Sequence, residues 1–207
     1  MNLRSDRTRR TLALGVAAIL AIVAVQIATH LIDTGVYGLR ITAFDSDLDS
    51  SVFGVASSVI VVIAAIAGIA AGRVSRHRWP GICGAALAVY AVLSLLEVPQ
   101  TRDGVLLVLP VLLLILVGSW LSAREEPAPV ARLLHTGAGL LVLSFVLHIA
   151  VPFVFRRVGI ATGSWPYEIK VALKMASEIA GFGLVAVAFA AIVSEHTARG
   201  APRVATA

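Results

Sequence analysis

Apolar residues along the chain fall in six long blocks, at about 11–31, 52–72, 80–98, 104–122, 131–154 and 172–194. A helix crossing the hydrocarbon core of a bilayer needs roughly 20 such residues, and the blocks match that length. The pattern predicts an all-α fold, a polytopic membrane bundle of six transmembrane helices. The last helix is expected to begin ahead of its block: Ser164 is placed to cap it, Trp165 stands at the interface and Pro166 takes the first helical position, where a missing N–H costs nothing. Run from 166 to 196, it would be roughly 46 Å long and would carry Lys170 and Lys174 in the headgroup region.

The segments between the blocks are short, so the chain offers no separate soluble domain. It divides into a basic N-terminal segment, 1–10, a helical domain, 11–196, and a flexible tail, 197–207. The first block is longer than the core of a secretory signal and no cleavage pattern follows it, so it reads as an uncleaved anchor.

Within lipid, helices associate through small residues that let backbones approach. Ala64, Gly68 and Gly72 recur every four residues in the second helix. That helix is therefore expected at the centre of the bundle, or at a contact with a second copy or a membrane-protein partner through the Gly68/Gly72 face. Pro110 removes one backbone donor from the fourth helix and predicts a bend there.

Composition agrees with the pattern. Of 207 residues, 58% are hydrophobic and 14% charged, with a mean hydropathy of +0.92, against about a quarter charged in a soluble domain. A net charge of +5 raises the question of nucleic acid. The basic residues are dispersed over helix ends and form no stripe, so the partner they imply is the lipid bilayer. Counted for a cytoplasmic N-terminus, eleven of the 17 Lys and Arg residues fall in inner segments and six in outer ones. Four of those six crowd the last outer loop. The strongly basic first flank and the run RVSRHR, 73–78, still favour both termini in the cytoplasm of a cell whose plasma membrane holds the protein. Cys83 is the only cysteine, which excludes an intrachain disulfide and a cysteine-based zinc site.

With that threading, ionisable residues near the helices gather at the outer face: His30 and Asp33 end the first helix, Glu97 the third, His148 stands near the end of the fifth, and Lys174 and Glu178 open the sixth. Charges in lipid are costly unless they pair or line a wet cavity, so these residues are expected to form an outward-facing polar pocket for a cation or small ligand. Each also has a plainer reading. His30, Asp33 and Glu97 suit solvated helix ends, and Lys174 precedes Glu178 by one turn, where it can form a salt bridge.

The stretch FDSDLDSS, 44–51, places Asp45, Asp47 and Asp49 at alternate positions, as the first ligands of a calcium loop would be. Ser50 replaces the required glycine and Ala56 the bidentate glutamate, so a complete EF-hand is excluded. A weaker site for a divalent cation, completed by Glu97 or Asp33, stays open. The alternative is that Asp49, Ser50 and Ser51 cap the second helix.

The same stretch, continued as FDSDLDSSVFGVASSVIVVIAA over 44–65, resembles the first outer loop of uncharacterised bacterial multispanning membrane proteins. That loop reads F-D-x-D-x-[DE]-x-x-[IV] before a helix opening with paired serines, matched by Phe44, Asp45, Asp47, Asp49, Val52, Ser57 and Ser58. Two further motifs match in part: Ser94 and Glu97 are retained with Leu96 in place of an acid, and Glu178 and Gly181 with Lys174 and Met175 in place of a glutamate pair. The resemblance covers about a quarter of the chain. It implies a shared acidic outer feature and names no reaction.

Four functions are compatible with these features. A binding bundle with an outer polar pocket and no assigned catalysis fits best. A membrane-embedded metal-dependent lipid hydrolase would use His30, His148 and an acid, but H-E-x-x-H and G-x-S-x-G are absent. A transporter would want polar residues across the midplane. An accessory subunit of a membrane complex would dock through the Gly68/Gly72 face.

Overall fold

The computed structural model describes residues 6–38, 41, 43–44, 51–96 and 102–200, and every regular element among them is helical. The helices are α1 (Asp6–Ile32), continued by a π-helical turn (Asp33–Tyr37), α2 (Val52–Val74), α3 (Trp79–Leu95), α4 (Arg102–Glu125), α5 (Ala128–Val158) and α6 (Trp165–Gly200). Five of them are long and apolar enough to cross a membrane, and α3 is a shorter apolar helix of 17 residues. This is a multi-helix membrane protein.

Several ends differ from those the hydropathy suggests, each for a local reason. Residues 6–10 form the first turns of α1, ahead of its apolar block, and Thr8 is buried against the far end of α6. Residues 197–200 likewise continue α6 into the expected tail. Helix α5 runs to Val158, where Gly159 takes a left-handed conformation (φ 76°) and its N–H closes on the Phe155 carbonyl. At the start of α6, Trp165 is the first helical residue and Pro166 the second. Ser164 contributes its carbonyl to the Glu168 N–H, while its hydroxyl donates backwards to Ala161 at 2.6 Å. Ser51 caps α2 as expected, its hydroxyl oxygen accepting the Gly54 N–H at 3.1 Å. Pro110 and Pro152 both stand inside continuous helices.

The helix at the centre is α6 and not α2. In the most apolar stretch of α6, 72% of residues are buried, against 44% in α2 and 11% in α1 and α5. Helices α1, α2 and α5 all pack on α6; α3 packs on α2, and α4 bridges α3 to α5. Antiparallel pairing of α1 with α6 can be followed residue by residue, from Thr8 beside Glu195 through Gly15 against Val187 and Ile19 against Gly183 to His30 beside Glu168.

The small-residue face of α2 is filled from within the chain. A Cβ at Gly68 would stand 2.8 Å from the Gly84 Cα and 3.0 Å from the Phe189 ring, and one at Gly72 would meet Gly81. The surface expected to receive a partner is thus occupied by α3. Gly118 of α4 packs on Cys83 in the same manner, with the Cys83 thiol 3.4 Å from the Ser119 hydroxyl.

Candidate functional site

A groove of about 550 Å³ runs between α2, α3 and α6. Its walls are apolar, with Val55, Val59, Val61, Val62 and Ile63 from α2, Ala91 and Leu95 from α3, and Met175 from α6. Its polar groups are Ser57 and Ser58 of α2, which stand level with Glu178 of α6, and Ser94 and Tyr90 of α3. Ser57 lies five residues into α2, roughly 8 Å from its first residue. Val55, Val59 and Ile63, all more than half exposed, form a rim on the outer side of α2.

Glu178 is the one acidic side chain lining the groove, and neighbours hold it on both sides. The Ser57 hydroxyl donates to its Oε1 at 2.9 Å, and Lys174, one turn earlier on α6, brings its Nζ to 3.4 Å from Oε2. The lysine is not part of the groove lining. Ser58 directs its hydroxyl to the Gly54 carbonyl at 3.1 Å, and Tyr90 stacks on Phe182 of α6 with ring centroids 5.2 Å apart.

The other sequence candidates separate. His30 is fully buried between α1 and α6, with its Nε2 3.2 Å from a carboxylate oxygen of Glu168, a residue the sequence does not single out. That contact is one of proximity and not of hydrogen-bond alignment. Asp33, also buried, begins the π-helical turn; its Oδ1 accepts the Ile41 N–H at 3.2 Å, and its Oδ2 meets no hydrogen-bond partner among the described residues. Trp165 covers this turn, its ring within reach of any Cβ added at Gly35. His148 is exposed on α5. Glu97, Asp45, Asp47 and Asp49 lie outside the described residues. Among the described residues no three His, Cys, Asp or Glu side chains are grouped to hold a metal.

A second buried carboxylate that the sequence does not single out stands at the opposite end of α6. Glu195 is 5% exposed and accepts a hydrogen bond from the Thr8 hydroxyl at 3.1 Å. Glu168 and Glu195 share one signal in the sequence, an acid flanking the apolar run of a very long helix. Their partners lie more than 130 positions away, so no local pattern reveals the pairing.

The helix ends carry stacked basic and aromatic pairs suited to a membrane interface: Arg124 over Trp120, Arg157 over Phe153 and Lys170 over Tyr167, at 3.7, 4.7 and 4.4 Å. His77 and Glu125, 3.2 Å apart, join the α2–α3 connection to the end of α4.

Comparison with family models, curated proteins and solved structures gives no significant match to this chain.

Proposed function

We propose that the protein is a membrane-embedded binding protein that takes an amphiphilic small molecule into the groove between α2, α3 and α6, with the polar head at Glu178. One observation carries this reading: a cavity of about 550 Å³ with apolar walls and a single lining carboxylate held by Ser57 and Lys174. The size lies within the usual range of small-molecule pockets, about 300–1,000 Å³, and so does the chemistry of apolar walls with few polar groups. An ion pair held in a low-dielectric site adds little stability over apolar packing. Its position on the wall of a cavity supports a role in recognition.

The orientation belongs to the same proposal. Helix α3, roughly 26 Å long at 1.5 Å per residue, crosses as the sixth span in close contact with α2. Six crossings return the C-terminus to the side of the N-terminus, and the basic first flank puts both in the cytoplasm. The polar level of the groove then opens toward the outer leaflet of a bacterial plasma membrane, an origin supported by the resemblance of 44–65. No catalytic step is assigned.

Native mass spectrometry of the protein released from lipid nanodiscs tests the reading. The wild type is expected to retain one amphiphile per chain, and Val59→Trp, which projects an indole across the groove from its exposed rim, to lose it with an unchanged melting temperature. Equal occupancy in both proteins would overturn the proposal.

A further inference from the structure

We infer that the groove selects amphiphiles whose head donates hydrogen bonds, a hydroxyl or an ammonium, and rejects anionic heads; this rests on the reading of the groove as a binding site. Ionised Glu178 offers acceptor sites on both oxygens, about four in all. Ser57 takes one on Oε1 and Lys174 one on Oε2, at 2.9 and 3.4 Å, so acceptor capacity remains on each.

The two serines of α2 add acceptors and not donors, and the hydroxyls of Ser94 and Tyr90 on α3 carry no charge to offset the carboxylate. Ser57 directs its proton to Glu178, and Ser58 directs its proton to the Gly54 carbonyl. Each hydroxyl oxygen keeps lone pairs available to a ligand. The cation that balances Glu178 lies outside the groove lining. A phosphate or carboxylate head entering here would meet a like charge in a medium of low dielectric, with the balancing lysine outside the groove lining. A hydroxyl or ammonium would find acceptors on three side chains at one level.

The walls set less discrimination on the tail. From Gly54 to Ile63 the α2 lining spans nine residue steps, roughly 14 Å, and the polar level stands in its first half. Only the first carbons beyond the head are enclosed; a longer chain leaves past Val59 and Ile63 into the surrounding acyl chains.

Four probes with one tail separate the heads: dodecan-1-ol, dodecylamine, dodecanoate and dodecyl phosphate, each titrated into the full chain in mild detergent and counted as adducts by native mass spectrometry. The alcohol and the amine are expected to bind at least about tenfold more tightly than either anion, a difference of about 1.4 kcal/mol. Glu178→Gln should weaken the amine by about tenfold while the anions gain, narrowing the gap. Dodecanoate or dodecyl phosphate binding as tightly as the amine would overturn the head preference and leave the groove standing as a site. Adducts from none of the four would overturn the groove as a binding site, and the preference with it.

Discussion

Ser57 on α2 and Glu178 on α6 stand 2.9 Å apart, hydroxyl to carboxylate, joining helices 121 positions apart in the chain. The bond fixes the level at which α2 crosses α6 and sets the carboxylate against the groove. Ser57→Ala removes the donor and leaves Oε1 partly buried without it, at an expected cost of about 1–3 kcal/mol. Thermal unfolding in detergent measures the loss. A double-mutant cycle with Glu178→Leu, which removes the acceptor, should return a coupling of about 1 kcal/mol, and strict additivity would show that the bond contributes nothing.

The glycines divide into two groups by what surrounds them. Gly84→Ala would place a Cβ 2.7 Å from the Gly68 carbonyl carbon, against backbone that cannot swing aside. Gly68→Leu meets Gly84 and Phe189 from the other side. Both are expected to lose at least about 2 kcal/mol through forced separation of α2 and α3. Gly139 of α5 has nothing within 4 Å of its added Cβ, so Gly139→Ala should be neutral, or stabilising by up to about 1 kcal/mol. Unfolding midpoints of the three variants check the ordering.

His30 and Glu168 are 0% and 3% exposed, and neither has water to fall back on. Removing the imidazole alone, as in His30→Ala, leaves a buried carboxylate and a void, with an expected loss of about 3–5 kcal/mol. Replacing both, with His30→Leu and Glu168→Leu together, should recover most of that stability, since the space is then filled by apolar groups. A double variant as unstable as the single one would mean that the pair also anchors its surroundings through further bonds.

Cys83 is fully buried beneath Ile115, Gly118 and Ser119. Maleimide should not label the folded wild type and should label it fully after denaturation. This silence makes the native chain its own background for topology mapping. A cysteine at exposed Thr162, in the α5–α6 connection, should react with an impermeant maleimide in intact cells, and one at Ser75, in the α2–α3 connection, only after the membrane is opened. The reverse result would invert the proposed orientation.

Much of the fold was legible because hydropathy and length are local properties. All six apolar blocks became helices, with Ser51 as the α2 cap and Lys174 beside Glu178 at the i, i+4 spacing. The small residues of α2 point to a different hub for a physical reason. Small residues on α2 mark where a backbone comes close, and the close neighbour is α3. Centrality follows from the number of faces covered, which in α6 is achieved by residues as large as Phe182, Phe189 and Ile192. Of the candidate site, the sequence pointed to Glu178 and Lys174. It could not pair His30 with Glu168 or Thr8 with Glu195, because those contacts exist only once α1 lies antiparallel along α6.

The central place of α6 also has a meaning in time. Helix α1 is synthesised well before α6, yet its main packing surface is on α6, and α2 and α5 rest on that same helix. Before α6 is in place, the contacts among the earlier helices are those of α2 with α3, α3 with α4 and α4 with α5, while α1 lacks its main packing partner. Insertion of α6 is then the event that closes the bundle, buries Gln26, His30 and Thr8, and creates the groove. A nascent chain stalled before residue 165 is an incomplete assembly with its polar seams open, a natural target for membrane quality control.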